Sequence, residues 1–181
     1  VHRKVYAEFV ERFVAGAKGL RVGNGLDPKT QMGPCVNASQ LETVESYVKI
    51  GKAEGAKLLA GGSRLSSGPH ARGYFHEPTI FGDCDPKMRV AHEEIFGPVV
   101  SVIPVGSLEE AIEVGNAVDY GLSASIYTQD VNKALTAMRD MYTGIFYVNA
   151  PTIGAETHLP FGGTKRSGYG RELGVHGIRE F

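Results

Sequence analysis

Val99-Val100-Ser101-Val102-Ile103-Pro104-Val105 leads directly into Gly106-Ser107-Leu108-Glu109-Glu110-Ala111-Ile112. The first run is short, apolar and β-branched, which is the signature of a strand buried on both faces. The second places a Ser three residues ahead of a Glu, a capping box that opens a helix. Working downstream, Leu122–Thr128 reads as a strand, Asp130 caps a helix running to Met141, and Gly144–Asn149 reads as another strand. The order strand, helix, strand, helix, strand with short connections predicts an α/β fold, a mostly parallel sheet flanked by helices.

Upstream of this centre, Val5, Phe9 and Phe13, with Val10, Val14 and Ala17, recur at helical spacing and predict an amphipathic helix over 5–20. A Gly/Pro-rich loop covers 23–34. Ser39 and Glu42 form a second S-x-x-E pattern before Leu41, Val44 and Val48, predicting a helix that ends near Gly55. Lys57–Ala60 and Glu77–Gly82 read as extended pieces, separated by a Gly/Ser-rich exposed loop over 61–73. The final stretch, 159–177, holds Gly162, Gly163, Gly168, Gly170, Gly174 and Gly177. Such density predicts backbone held in tight turns or pressed against another surface, with a short helix over 171–178.

The composition restricts the partners. The net charge of −1 over 181 residues leaves no basic face to neutralise a run of phosphates, so nucleic acid is not expected. No apolar run reaches the roughly 18 residues of a membrane span, and His2-Arg3-Lys4 leads into an amphipathic pattern instead of a signal peptide. Two cysteines are too few for a disulfide framework, which points to a cytoplasmic protein. The chain starts at Val1 without Met and stops at Phe181 after a charged segment, so both ends read as cut.

A nucleophilic thiol needs a cationic neighbour or a helix N-terminus. Cys84 lies between Asp83 and Asp85, and Cys35 follows Pro34 in a loop, so neither reads as catalytic. The six histidines show no metal-ligand spacing, and no metal is expected. Gly168-Tyr169-Gly170 is not a dinucleotide fingerprint, because Leu173 stands where the third glycine belongs. Gly162-Gly163-Thr164-Lys165 is not a P-loop, because no Ser or Thr follows the Lys. Glu93 and Glu94 are adjacent, so on an extended chain they face opposite sides and cannot work as an acid/base pair. Glu94 and Phe96, two apart, share a side. They suit one polar, flat ligand, the Glu accepting from hydroxyls and the Phe packing on a ring. A solvated Glu before a core strand fits the residues equally well.

Two longer stretches carry a family resemblance. They are His92-Glu93-Glu94-Ile95-Phe96-Gly97-Pro98-Val99 and Leu159-Pro160-Phe161-Gly162-Gly163-Thr164-Lys165-Arg166-Ser167-Gly168-Tyr169-Gly170-Arg171-Glu172. Gly33-Pro34, Glu54-Gly55-Ala56-Lys57, Gly73-Tyr74-Phe75, Pro78-Thr79, 120–124 and Val148-Asn149 support them in order along the chain. Together they resemble the aldehyde dehydrogenase family.

The resemblance implies a parent enzyme that oxidises an aldehyde to an acid with NAD or NADP. In that chemistry a cysteine thiolate attacks the carbonyl, and a glutamate-activated water later hydrolyses the thioester. The nucleophile, the general-base Glu and an oxyanion-stabilising Asn would all lie upstream of Val1, so no catalytic residue is expected here and the chain alone should be inactive. By the same resemblance Glu94 holds the nicotinamide-ribose hydroxyls, and Phe96 packs beside the nicotinamide. Phe161 walls the aldehyde pocket, with Gly154 and Ala155 in the substrate loop. Glu172 is a charge-relay candidate, and Asn149 stabilises a turn at a strand end. Asn149-Ala150-Pro151-Thr152-Ile153-Gly154-Ala155-Glu156 resembles members acting on semialdehydes, such as α-ketoglutaric semialdehyde dehydrogenase. The expected organisation is a catalytic domain over 1–165, truncated at its N-terminus, and a segment over 166–181 that returns towards an absent cofactor domain. Family members are oligomers, so a homo-oligomeric parent is implied. A non-enzymatic association fragment and an acyl-CoA-forming relative are the alternatives.

Overall fold

The computed structural model describes residues 1–154 and 156–180. They form two compact units, Val1–Val105 and Gly106–Phe181. The α/β reading holds in both. The division expected after residue 165 falls inside the second unit.

The first unit opens with a 3-10 turn, Arg3–Val5, and helix α1, Tyr6–Lys18. Helix α2, Ala38–Ala53, follows the Gly/Pro-rich loop. Its cap is Asn37, not the expected Ser39: Asn37 is extended, and its side chain accepts from the Gln40 N–H at 2.8 Å. Ser39 thus falls inside the first turn. At the other end, bonds from Gly55 to Lys52 and from Ala56 to Gly51 close a Schellman turn.

Strands β1 (Lys57–Ala60), β4 (Thr79–Gly82) and β5 (Val99–Ser101) form one sheet in the order β1-β4-β5. Between β1 and β4 in sequence lies a short antiparallel pair: β2 (Arg64–Leu65), inside the stretch 61–73 that reads in sequence as a loop, and β3 (Phe75–His76), just beyond it. Helix α3, Arg89–His92, precedes β5. The sheet is mixed, because β1 pairs antiparallel and β5 parallel to β4. The strand expected over 99–105 is shorter, and Pro104 has no N–H with which to extend a ladder.

All four residues of β4 are buried, so this central strand supplies core to both faces. Phe81 joins Val44, Val48, Ala56, Cys84, Val90 and Ile95. Its neighbour Ile80 faces the other way, with Ala60 and Val102, against Val10, Phe13, Val14 and Ala17 of α1. Val10, Phe13, Val14 and Ala17 thus form the partly buried face of α1 on the sheet, while Val5 and Phe9 of the expected pattern stay exposed, because they lie off that face.

The second unit begins with α4, Leu108–Asn116. Ser107 accepts from the Glu110 N–H at 3.1 Å, as the capping box predicts, and Glu110 reaches back to the Gly106 N–H at 2.6 Å. Strand β6 is Tyr120–Gly121 and β7 is Ser123–Ile126. Helix α5, Val131–Asp140, is capped by Asp130 as expected, with acceptance from the Asn132 and Lys133 N–H groups. Strand β8, Ile145–Val148, runs parallel to β7 in register from Ser123–Ile145 to Ile126–Val148. Strand β9, Thr164–Lys165, returns antiparallel to β6, and α6 is Gly174–Arg179.

The glycine-rich stretch folds back on this unit. Phe161 and Glu172 exchange backbone hydrogen bonds of 2.7 and 2.6 Å, which closes the loop between them. Lys165 Nζ donates to the carbonyls of Asn116 and Val118 at the end of α4, at 2.7 and 2.9 Å.

Candidate functional site

The segment from Glu93 to Gly97 lies along one face of α2. Gln40, Val44 and Tyr47 recur there at the i, i+4, i+7 spacing of a single helix face. At one end, the Tyr47 hydroxyl donates to Glu93 Oε2 at 2.7 Å, and Arg89 Nε lies 2.9 and 3.0 Å from the two Glu93 oxygens. At the other, the Gln40 amide reaches the carbonyls of Ile95 and Phe96. Ile95 is buried between these grips.

Glu93 is thereby committed to structure. The Arg89 guanidinium, then the Tyr47 hydroxyl, hold its carboxyl below the ordinary 4.5, at about 2. A depressed folded-state value means that the contribution to stability is fully present above about pH 4.5 and fades as pH falls towards 2. Glu93→Gln is therefore expected to lower the urea midpoint at pH 6, with the difference from the unsubstituted protein closing between pH 4.5 and 2. A difference independent of pH across that window would remove Glu93's charge from the account.

Glu94, the next residue, is exposed, and no hydrogen bond or ion pair engages it among the described residues. Phe96 is 80% exposed. Both residues are exposed, but the extended path from which a shared side was expected is not present. Phe96 has φ of 54°, in the left-handed region that a residue with a Cβ avoids. Its ring borders a cleft of about 460 Å³ lined in part by Met32, Pro34, Cys35, Gln40, His76 and Pro98. His76 is buried, with Nδ1 2.8 Å from the Glu77 carbonyl. A carbonyl only accepts, so Nδ1 carries the proton. Nε2 is then a buried acceptor without a partner among the described residues.

Neither thiol is activated. Burial pushes the Cys84 thiol up, and Asp83 adds to the shift, while burial also raises Cys35. For Cys84 the sequence supplied the lesser cause: it packs in the core at 3% exposure.

In the second unit, Phe161 is half-buried and held by its bonds to Glu172. The Glu172 side chain is exposed. Arg171, its neighbour, donates instead to the carbonyls of Gly163 and Gly170 at 2.9 and 2.8 Å. Leu173 follows at φ of 63°. Gly154 is exposed, and its carbonyl accepts from the Tyr147 hydroxyl at 2.6 Å. Ser125 donates to the Ala150 carbonyl at 2.6 Å. Ala155 lies outside the described residues. Asn149 is the turn stabiliser expected at the end of β8. It sits at φ of 54°, and its side chain accepts from the Thr128 N–H at 2.9 Å and donates to the Thr128 carbonyl at 3.0 Å.

Gln40, Tyr47, Arg89, Ser125 and Tyr147 escaped the sequence reading. Only Arg89–Glu93, an i,i+4 pair of opposite charge, carried a local signal. Among the described residues no cluster of His, Cys, Asp or Glu could hold a metal, and no helix is long and apolar enough to cross a membrane.

The Aldehyde dehydrogenase family profile matches residues 1–181. This chain belongs to the aldehyde dehydrogenase family. A mitochondrial aldehyde dehydrogenase of Equus caballus is 44% identical over 182 residues, covering 100% of this chain and 35% of the relative. The chain thus spans about a third of the length of such relatives. The betaine aldehyde dehydrogenase of Staphylococcus aureus, solved with NAD+, superposes with a TM-score of 0.96 at 35% identity, over 100% of this chain and 36% of that one. An aldehyde dehydrogenase of Mycobacterium tuberculosis, also solved with NAD+, gives 0.93 at 39% identity, over 99% and 36%. Membership in the family gives the exposed Phe96 and the uncommitted Glu94 a chemical context.

Proposed function

We propose that this chain supplies the nicotinamide-facing clasp and the substrate loop of an aldehyde dehydrogenase that oxidises an aldehyde to a carboxylic acid with NAD or NADP. One observation carries the reading: Phe96 is held in a disfavoured backbone geometry with its ring exposed at a cleft, and the nearby Glu94 has no partner. The cleft of about 460 Å³ lies within the ordinary range of small-molecule sites, roughly 300–1,000 Å³. An exposed aromatic face and a free carboxylate suit a flat ring joined to a sugar.

In this reading Phe96 packs against the nicotinamide, fixes its angle and excludes water from that side. Glu94 accepts from the ribose hydroxyls. When bound, the nicotinamide supplies a hydride acceptor. Phe161, Gly154 and Ala155 shape the aldehyde pocket, the loop steadied by Tyr147. Glu172, whose backbone pairs with that of Phe161 and whose side chain is exposed, would be the charge-relay carboxylate. The covalent step, through a thiohemiacetal on a cysteine thiolate, belongs to a residue outside these 181, because Cys35 and Cys84 are both held protonated by burial. The 181 residues alone would then be inactive. The loop sequence over 149–156 favours semialdehydes of acids as substrates. The segment 166–181 would turn towards the cofactor domain.

The test uses the full-length enzyme. Phe96→Ala and Glu94→Gln are each expected to weaken NAD+ binding and to slow single-turnover hydride transfer by about 10- to 100-fold, the scale of misplacing a reactant by about an ångström. Values within twofold of the unsubstituted enzyme for both variants would end the cofactor reading. NAD+ reduction by the 181 residues alone, with short aldehydes or semialdehydes, would refute their inactivity.

A second observation favours assembly. Val131, Leu135 and Met138 form an exposed apolar stripe along α5, at 66%, 53% and 52% exposure. A homo-oligomeric parent fits such a stripe, and light scattering after size exclusion would show a monomer if it does not.

A further inference from the structure

We infer that Gln40 is a positioning residue for the cofactor ring, acting through the backbone of Phe96; this rests on the cofactor reading of Phe96 given above. Gln40 is the third residue of α2. Its own N–H is taken by the Asn37 cap at 2.8 Å, and its side chain does not complete a capping box by reaching back to the Asn37 N–H. Instead Nε2 donates to the Ile95 carbonyl at 2.9 Å and to the Phe96 carbonyl at 2.8 Å. An amide nitrogen has two hydrogens, and both are used.

The choice of acceptors matters. The two carbonyls belong to the peptide planes on either side of the Phe96 Cα. Holding both planes with one rigid amide fixes the two backbone torsions of Phe96. Those torsions lie in the left-handed region, with φ of 54°. A residue with a Cβ does not rest there unless its surroundings impose it. Phe96 gains no burial from the geometry, since its ring stays 80% exposed. The strained turn packs Ile95 and Gly97 against α2 while leaving the Phe96 ring outside the core and at the cleft.

The rest of α2 supports the grip. A Cβ on Gly97 would overlap Val44 Cγ2, so the chain after Phe96 is pressed onto the helix. Two turns further along, Tyr47 holds Glu93. Gln40 and Phe96 also border the same cleft. Loss of the two donors frees the Phe96 peptide planes to relax into an ordinary turn and swings the ring away from its angle.

The test uses the full-length enzyme with Gln40→Leu, which keeps the volume and removes both donors, and Gln40→Glu, which keeps the shape and sets oxygens against the two carbonyls. The readouts are the NAD+ dissociation constant by titration calorimetry, amide exchange at Gly97, and thermal melting. Both variants should weaken NAD+ binding by about fivefold or more and accelerate exchange at Gly97, with melting close to that of the unsubstituted enzyme. Added to Phe96→Ala, Gln40→Leu should change NAD+ binding less than about twofold, because its effect passes through the ring. Unchanged binding in both single variants, or independent effects in the double variant, would overturn the inference. If Phe96→Ala alone leaves NAD+ binding intact, the cofactor reading fails instead. Exchange at Gly97 then decides the clamp, and an unaltered rate in Gln40→Leu overturns it.

Discussion

Gly144→Ala is expected to destabilise the protein by about 3 kcal/mol or more, at the upper end of what overpacking costs. The added methyl would overlap the Gly162 carbonyl oxygen and stand 2.7 Å from its carbon and 2.9 Å from Gly163 Cα. All three atoms are backbone, so no rotamer change relieves the clash. Neither side can retreat cheaply. Gly144 donates to the Gly121 carbonyl at 3.0 Å, and the following residue, Ile145, to Leu122 at 3.0 Å. On the other side, Phe161 is bonded to Glu172, and the Gly163 carbonyl accepts from Arg171. The substitution would also displace Phe161, so the full-length enzyme should lose aldehyde affinity along with stability. Gly16→Ala is the control: it lies in α1 with no heavy atom within 4 Å of the added Cβ, and alanine there should be neutral or slightly stabilising. Equal urea midpoints for Gly144→Ala and the unsubstituted protein would show that the two backbone segments are not locked.

Phe81→Ala is the second large effect, about 3–5 kcal/mol by the usual range for an aromatic truncated in a core. Phe81 is 0% exposed in the centre of β4 and meets Val44, Val48, Val90 and Ile95. Its ring edge comes close to Gly51, where an added Cβ would stand 2.9 Å from Phe81 Cζ, so α2 sits directly on the ring with no side chain between. Whole domains are stable by roughly 5–15 kcal/mol, so this one change would consume a large share. The comparison with Phe96→Ala separates two uses of one residue type. Truncating the exposed ring should leave the urea midpoint nearly unmoved while impairing the cofactor step. A loss below about 1 kcal/mol for Phe81→Ala would mean that the core collapses around the gap.

Periodicity made the elements legible. The α1 pattern from Val10 to Ala17 marks the face that meets Ile80, and the capping residues Ser107 and Asp130 start their helices where expected. Strand partners were less legible. The alternation of strands and helices says nothing of β1 running antiparallel to β4, because a short apolar run carries no direction. Asn37 displaced Ser39 as a cap because both residue types can cap, and only the backbone path decides between them. At the candidate site, Glu94 and Phe96 could be grouped from sequence because they lie two residues apart. Gln40 and Tyr47 were not, since 56 residues separate Gln40 from Phe96 and 46 separate Tyr47 from Glu93. A side chain bonding to a distant main-chain carbonyl leaves no mark on local pattern, and a glutamine in a helix's first turn looks like any solvated one.

Asn149 offers a broader lesson about how specificity can change in such a fold. Its carboxamide behaves like one more peptide unit, so the parallel pair ends in a seal made by a side chain. The next residue still ties to β7, since the Ala150 carbonyl accepts from the Ser125 hydroxyl, and the loop beyond Ala150 takes no part in the β7–β8 ladder. Residues 151–154 can therefore be rewritten or lengthened as a local edit that leaves the order of the strands intact, and under the substrate-loop role proposed above such an edit would change the aldehyde preferred.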